Sequence, residues 1–405
     1  MLYYLNKSIL KILKDNFYAI SLYARQIAGT FVLLFIARYL SIYDYGLFSS
    51  YKSIAIFCLL IANLGYGDYI LVSSNKNVHE VKLKIGLFVL NAYFLLFIII
   101  CISSFLSIES NLIFILVLIR TFLDGTFFNL MLPYYQATKR FNLISYINIF
   151  YSIVTILIAF FSYYFKLSLI KFLLLSIMLG IFNFFQVTFF AKINYLIALK
   201  HFKRLLIKLD KSIFSYCSYN LEWYLFNQTP SLFVAFFIAK NDAAIFFAAY
   251  TIANIVTIFV ASVAQKLMPE LINTSKQNVL EVIRTNIFML NKINLMVFLV
   301  ILFAGNLLIL LIYKQPIYQK AYYPLLLLSI GNIFMGWATP YGVYITSSGN
   351  QNIKSKIQLY TIVVSFSSLL IFYKLGIYAA CLAYMISLIF MCILFRQTVN
   401  KSVRN

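Results

Sequence analysis

Long apolar runs separated by short polar clusters make up almost the whole chain. Each run holds about 20 or more mainly apolar residues, which is the length that a helix needs to cross the hydrocarbon core of a bilayer. Cutting the sequence at the polar clusters gives twelve predicted spans, at residues 17–39, 46–70, 83–107, 111–135, 143–165, 168–191, 213–239, 243–268, 286–313, 322–346, 355–374 and 376–396. The pattern therefore predicts an all-α integral membrane protein with about twelve transmembrane helices.

Composition supports the same class. Apolar residues make up 63% of the chain and charged residues 11%, whereas a soluble domain averages roughly 25% charged residues. The basic N-terminal stretch leads into a full-length span, so we do not expect a removable signal peptide. All five cysteines lie in apolar runs without metal-ligand spacing, and we interpret them as small hydrophobic residues. No metal or cofactor is predicted.

Lysine and arginine concentrate in the loops after even-numbered spans and in both tails. By the positive-inside rule, this distribution predicts that both termini are cytoplasmic. The net charge of +22 is therefore mostly a topology signal, and we do not expect nucleic-acid binding.

The longest basic loop divides the chain into two halves. Residues 192–212 alternate apolar and basic residues at helical spacing, which is typical of an amphipathic helix on an anionic membrane surface. A linker tethered to membrane lipid and a docking site are both possible roles for it. The division predicts an N-terminal six-helix bundle at residues 1–191 and a C-terminal six-helix bundle at residues 213–405.

The two halves share weak sequence repeats in the same order. The motif DYGLF begins the second span, and DAAIF begins the eighth. Six spans in each half predict parallel repeats about an axis along the membrane normal. Transporters use this plan, with a substrate site near the midplane between the halves.

Motifs of several other protein classes are missing from the sequence. It has no GxxxxGK[ST] phosphate loop and no GxSxG elbow, HExxH helix or paired-carboxylate loop. The longest predicted external loop, YKQPIYQKA, is too short for the catalytic domain of a membrane polymerase or ligase. No filter-like segment indicates a channel. We therefore expect a transporter rather than an enzyme.

Charged residues inside the predicted spans are the main functional candidates. A charge near the bilayer centre costs about 2.5–3.5 kcal/mol on insertion scales, so such a residue usually faces a polar cavity or a partner. The candidates are the cations Arg25, Lys52, Arg120, Lys171 and Lys292 and the acids Asp68, Asp124 and Glu222. Lys171 and Asp68 lie within about a turn of a span end. For Lys52 and Lys292, snorkelling to the headgroups and facing a cavity both remain open.

Arg25 lies about 12 Å into the first span, at 1.5 Å per residue. Ser21, Ala28 and Gly29 share its helical face, and no acid lies three or four residues away. The side chain either reaches the cytoplasmic headgroups or lines a cavity that receives anionic substrate groups. Both interpretations are open from the sequence.

Arg120 and Asp124 are four residues apart in the fourth span and should face each other across one helical turn. They form either a self-neutralised pair that stabilises packing or a site that changes partners during transport.

Glu222 lies at a similar depth in the seventh span, among polar and aromatic residues ahead of Pro230, which should kink the helix. These further candidates are Asn220, Trp223, Asn227 and Gln228. The segment is either a cavity wall whose donors and acceptors suit sugars or a set of polar contacts between helices.

Several stretches resemble one known family in order along the chain. They are ARQIAGTFVLLFIARYLSIYDYGLFSSYKSI, IANLGYG, AYTIANIVTIFVASVAQKLMPEL, TSSGNQNIKSKI and GIYAACLAYMISLIF. In these stretches the chain resembles polysaccharide-export proteins of the O-antigen flippase type. That family belongs to the multidrug/oligosaccharidyl-lipid/polysaccharide exporter (MOP) superfamily, in which two six-helix bundles surround a cavity that opens to alternate sides.

The resemblance implies a function for the chain. It implies a flippase that moves undecaprenyl-diphosphate-linked oligosaccharide across the bacterial inner membrane, with membrane lipid and other polysaccharide-assembly proteins as its partners. Arg25 matches the cavity-facing arginine that related lipid II flippases carry in their first span. Coupling to protons or sodium ions is also implied, with the buried acids Asp124 and Glu222 as candidates. The mixture of acids and bases departs from a purely cationic cavity.

Two other functions remain as alternatives. One is a cation-coupled drug or small-molecule antiporter of the same superfamily, and the other is a membrane polymerase or ligase of lipid-linked glycan.

Overall fold

The computed structural model describes residues 17–63, 78–105, 111–200, 212–275 and 278–404. Twelve long helices occur in these residues. They are α1 (Phe17–Tyr39), α2 (Ile42–Asn63), α3 (Val78–Phe105), α4 (Asn111–Thr126, Phe127–Met131 and Leu132–Ala137), α5 (Phe141–Tyr164), α6 (Leu169–Ala191), α7 (Ser212–Phe237), α8 (Lys240–Asn273), α9 (Val279–Tyr313), α10 (Tyr322–Ser347), α11 (Gln351–Ile371) and α12 (Ile377–Arg404). Short 3₁₀ segments cover Pro316–Ala321 and Tyr373–Leu375.

Each long helix coincides with one predicted span, which confirms the all-α membrane fold. Ten of the helical segments in the described residues are long and apolar enough to cross a membrane. The other two, α7 and α11, have sufficient length but a more polar composition. The cytoplasmic placement of the termini remains a prediction.

Some helix ends differ from the predicted spans. Helices α8 and α9 are 34 and 35 residues long, because each continues past its apolar segment into polar residues that a helix accommodates outside the hydrocarbon. Helix α2 ends at Asn63, and the rest of the predicted span, residues 64–70, lies outside the described residues.

The chain divides into two compact units. The first comprises Met1–Tyr39 and Ala55–Leu221, and the second comprises Leu40–Ile54 and Glu222–Asn405. Of the predicted amphipathic linker, the structure describes a short helix at Tyr195–Lys200 that packs on α3. Residues 201–211 lie outside the described residues.

The start of α2 explains the DYG motif. The Asp44 amide donates a hydrogen bond to Ser41 Oγ (3.0 Å), and the Ser41 hydroxyl donates to Asp44 Oδ2 (2.7 Å), so the two residues cap the helix. A Cβ atom at Gly46 would lie 1.8 Å from the carbonyl oxygen of Lys240 at the start of α8. Only glycine allows this close approach of the two helices.

Equivalent helices pack together within each half of the chain. In the first half, α3 packs on α4, α4 on α6, and α5 on α6. In the second half, α9 packs on α10, α10 on α12, and α11 on α12. These are the same pairs in repeat numbering, so the internal packing agrees with the repeat that the sequence motifs indicate.

Helix α10 is at the centre of the second unit. The Asn332 side-chain amide donates to the Ala253 carbonyl of α8 (2.9 Å) and accepts a hydrogen bond from the Tyr384 hydroxyl of α12 (2.9 Å). The Asn294 amide of α9 donates to the Asn332 carbonyl oxygen (3.1 Å). One asparagine therefore joins four helices, with its buried polar atoms satisfied.

Candidate functional site

The side chain of Arg25 lies inside the first unit and is 3% exposed. Its Cζ atom is 4.0 Å from the ring centroid of Phe127 and 3.8 Å from that of Tyr151. Its Nη1 atom donates a hydrogen bond to Asn148 Oδ1 (3.2 Å). The guanidinium therefore lies between two aromatic faces, which stabilise it by cation–π interactions, instead of extending towards the headgroups.

Asp124 joins Arg25 to Arg120. Arg120 Nη1 lies 2.6 Å from Asp124 Oδ1, and Arg25 Nη2 lies 3.7 Å from the same oxygen. The contact between Arg120 and Asp124 is the one that their four-residue spacing in the sequence predicts. Arg25 has no acid near it on its own helix, and the tertiary fold supplies Asp124 from α4.

Tyr151 bridges the two partners of the α4 ion pair. Its hydroxyl donates to Asp124 Oδ1 (2.5 Å) and accepts a hydrogen bond from Arg120 Nη2 (2.5 Å). One tyrosine therefore contacts all three charged residues, through its ring for Arg25 and through its hydroxyl for Arg120 and Asp124. We call Arg25, Arg120, Asp124, Tyr151 and Asn148 the arginine cluster.

A π-helical segment places Phe127 against Arg25. The Leu132 amide donates to the Phe127 carbonyl oxygen, five residues earlier, and the wider turn runs over Phe127–Met131. Pro133 follows and has no amide hydrogen for an ordinary helical bond. The π segment, a feature frequent at functional sites, begins three residues after Asp124.

Charge and exposure change across the arginine cluster. Two guanidiniums and one carboxylate give it a formal charge of +1. The exposed fraction rises from 3% for the Arg25 side chain to 17% for Arg120 and 33% for Asp124. Asp124 is therefore the most accessible of the three charged groups, and Arg25 is the least accessible. Guanidinium groups bind phosphate oxygens through pairs of charge-assisted hydrogen bonds, so the cluster is suited to an anionic phosphate group.

Sequence reasoning missed Tyr151 and Asn148. Both are on α5, which buries a stripe of polar residues within an otherwise apolar span; the buried residues are Ser145, Asn148, Tyr151, Ser152 and Thr155. Their spacing of three to four residues marks one helical face. A search for polar stripes as well as charges would have found them.

The candidates on α7 do not form a comparable cluster in the described residues. Glu222 is 8% exposed, the Ser355 hydroxyl of α11 lies near its carboxyl group, and within the described residues its Oε2 atom has no hydrogen-bond partner. Asn227 and Gln228 are half-buried on α7. The side chains of Asn220 and Trp223 lie outside the described part of the chain.

The remaining charged candidates have different environments. Lys52 is half-buried on α2, whereas Lys171 on α6 and Lys292 on α9 are exposed. Asp68 lies outside the described residues. Within those that are described, no group of His, Cys, Asp and Glu residues could hold a metal ion.

Comparison with solved structures identifies the fold. The chain matches the lipid II flippase MurJ in an inward closed conformation, with a TM-score of 0.75 and 16% identity over 95% of this chain and 87% of that chain. It also matches an inward-facing multidrug resistance MATE family transporter of the MOP superfamily (TM-score 0.65, 12% identity, 94% of each chain). A Vibrio cholerae MATE transporter, VcmN, matches with a TM-score of 0.61 and 13% identity over 96% of this chain and 94% of that one.

Sequence comparison gives no further assignment. No family model matches the chain, and no curated protein matches it. The similarity therefore establishes that the chain has the fold of MurJ and of MATE transporters in the MOP superfamily.

Proposed function

We propose that the protein is a flippase that moves undecaprenyl-diphosphate-linked oligosaccharide across the bacterial inner membrane by alternating access. The observation that carries the proposal is the buried arginine cluster, in which two guanidiniums share one carboxylate inside the membrane-spanning part of the first unit. A multidrug or glycan exporter needs no such cation unless its cargo is anionic. The fold match to a lipid II flippase supports the same assignment.

In this proposal the substrate diphosphate replaces Asp124 as the partner of the two guanidiniums. The phosphate oxygens reach the guanidiniums from the side on which Asp124 is exposed, and they replace the carboxylate as the hydrogen-bond acceptor. Hydrogen bonds to charged groups contribute about 1.5–3 kcal/mol each. The guanidiniums lose such bonds to the carboxylate and gain similar bonds to the phosphate, so the exchange of acceptors costs little free energy. The glycan follows the diphosphate into the protein, and the prenyl chain stays in lipid.

The exchange also suggests how transport is coupled to an ion. Asp124 loses its guanidinium partners when the phosphate binds, and a proton or a sodium ion then compensates its charge. Release of the substrate restores the ion pairs and expels the bound cation. Glu222, which is buried on α7, is a second candidate for ion coupling.

A deletion strain tests the proposed function. We expect it to lack surface glycan and to accumulate prenyl-linked repeat units on the cytoplasmic leaflet. Expression of the wild-type chain should restore the glycan, whereas an equal membrane level of Arg25→Ala should not. Normal surface glycan in the deletion strain would exclude the function, and single repeat units already on the outer face would indicate a polymerase or ligase instead.

The fold match to MATE transporters supports a cation-coupled drug antiporter as a second candidate. An antiporter for cationic drugs favours a cavity dominated by acids, and the net positive arginine cluster argues against that cargo. Drug susceptibility of the deletion strain distinguishes the two functions, because an antiporter mutant becomes sensitive while its surface glycan stays normal.

A further inference from the structure

A groove of about 360 Å³ runs between α9, α10 and α12 in the second unit. Each helix contributes residues spaced three or four apart, so each presents one face to the groove. The lining residues used below are Asn291 of α9, Phe334, Trp337 and Tyr341 of α10, and Ile389 and Arg396 of α12. The volume lies within the range of about 300–1,000 Å³ typical of small-ligand sites.

One end of the groove is cationic. Arg284 is seven residues before Asn291 on α9 and therefore lies on the same helical face, and Arg396 lines the groove from α12. Arg284 lies near the N-terminal end of α9 and Arg396 near the C-terminal end of α12, and the charges of both guanidiniums act on the Tyr341 hydroxyl, so we assign both to the same end of the groove. In the part of the chain that the structure describes, neither guanidinium has a carboxylate within ion-pair distance.

The other end of the groove is apolar and aromatic. The rings of Phe334 and Trp337 pack edge to face with their centroids 5.3 Å apart, and Ile389 faces them from α12. The Trp337 indole N–H donates a hydrogen bond to Asn291 Oδ1, which leaves its ring available as an apolar wall. Trp337 is 36% exposed.

Helix α9 indicates that the groove faces lipid. It is the most apolar of the candidate spans in the described residues, and only 17% of its most apolar 18-residue stretch is buried. Two of the residues that line the groove, Trp337 and Ile393, are 36% and 49% exposed. The loop charges predict that Arg284 and Arg396 lie at the cytoplasmic end of their helices.

We propose that this groove binds an anionic phospholipid of the cytoplasmic leaflet. The phosphate lies between Arg284 and Arg396 and accepts a hydrogen bond from the Tyr341 hydroxyl, and one acyl chain extends along Trp337 and Phe334. Basic pockets between transmembrane helices on the cytoplasmic side recognise anionic headgroups in this way. The site belongs to the second unit, and it does not depend on what the protein transports.

Other charged groups near the groove define the control. Glu281 is three residues before Arg284 and is exposed, and Lys292 is exposed beside Asn291 on α9. Lys292 does not line the groove. Removing the Lys292 charge therefore changes the net charge of α9 without changing the proposed phosphate site.

Tryptophan quenching by brominated lipids tests the proposal, because the chain has only two tryptophans. Trp223→Phe leaves Trp337 as the one reporter. The full-length variant is placed in phosphatidylcholine vesicles with increasing fractions of brominated phosphatidylglycerol or of brominated phosphatidylcholine. We expect the anionic lipid to quench Trp337 with a preference of roughly tenfold, since two arginines face its phosphate.

Matched variants locate the preference. Arg284→Gln combined with Arg396→Gln should make the two lipids quench equally, whereas Lys292→Gln should retain the preference. Equal quenching by the two lipids in the Trp223→Phe protein would overturn the proposal, and so would a preference for the anionic lipid that survives the double substitution. Displacement of the brominated lipid by a small mole fraction of undecaprenyl phosphate would also overturn it, because the groove would then bind substrate lipid instead of a resident phospholipid.

Discussion

The Tyr151 hydroxyl gives the sharpest test of the arginine cluster. Tyr151→Phe removes the hydrogen bonds to Asp124 and Arg120 (2.5 Å each) but keeps the ring that packs on Arg25 at 3.8 Å. The substitution therefore separates the polar bridge from the cation–π contact. It changes neither the formal charge nor the shape of the site.

The expected size of the effect follows from the contacts. Hydrogen bonds to charged groups contribute about 1.5–3 kcal/mol each. The Arg120–Asp124 ion pair at 2.6 Å remains, so we expect a loss of about 2 kcal/mol in place of the full sum. This corresponds to roughly a thirtyfold change in the population of the ordered cluster.

Transport of the lipid-linked substrate into proteoliposomes at limiting concentration is the assay. We expect the rate of Tyr151→Phe to fall by at least tenfold, while its melting temperature in detergent falls by a few degrees.

Tyr163→Phe is the matched control on the same helix. The Tyr163 ring packs against Phe35 and Tyr39, and the described part of the chain supplies no hydrogen-bond partner for its hydroxyl. Its rate should stay within twofold of wild type. If the two variants transport equally well, the hydroxyl bridge has no role in the site and the reasoning is refuted.

Three further predictions concern other residues. Arg25→Ala should abolish surface glycan at normal membrane protein levels, and Arg25→Lys should restore little of it because an ammonium has neither the planar stacking nor the fork of donors; full export by either variant would contradict this. Asp124→Asn should retain substrate binding but lose the dependence of transport on a pH or sodium gradient, measured in proteoliposomes; a preserved dependence would indicate Glu222 or another acid. Gly46→Ala should lower the melting temperature by several degrees, since overpacking costs about 1–3 kcal/mol, whereas Gly29→Ala, which meets nothing within 4 Å, should not.

Much of the fold could be predicted from the sequence because a bilayer restricts the possible structures. Lipid leaves no solvent for unpaired backbone groups, so an apolar run of sufficient length has to be a helix. The apolar pattern therefore located all twelve long helices of the described residues, including α7 despite Glu222 and its polar neighbours. The helix ends of α8 and α9 were less predictable, because a helix can continue into polar residues outside the hydrocarbon.

The candidate site could be predicted only in part. Arg120 and Asp124 share one helix, and their spacing of four residues is visible in the sequence. The contact between Arg25 and Asp124 depends on how α1 and α4 pack, which no local pattern specifies. Tyr151 and Asn148 carry no charge and resemble ordinary span residues until the fold places them beside two guanidiniums.

The grouping of Leu40–Ile54 with the second unit was similarly hidden. Gly46 and Asp44 belong to a motif that the sequence marks as notable. Only the structure shows that Gly46 permits close packing against Lys240. A motif of this kind specifies a local requirement for a small residue without identifying the partner.

Direct measurement of substrate movement between leaflets tests the central claim. Purified protein is reconstituted into liposomes with a fluorescent undecaprenyl-diphosphate oligosaccharide, and the fraction of substrate accessible from outside is followed over time. We predict that wild-type protein equilibrates the substrate between leaflets and that Arg25→Ala, at equal reconstituted amounts, does so no faster than protein-free liposomes. Equilibration by Arg25→Ala at the wild-type rate, or none by the wild-type protein, would contradict the account.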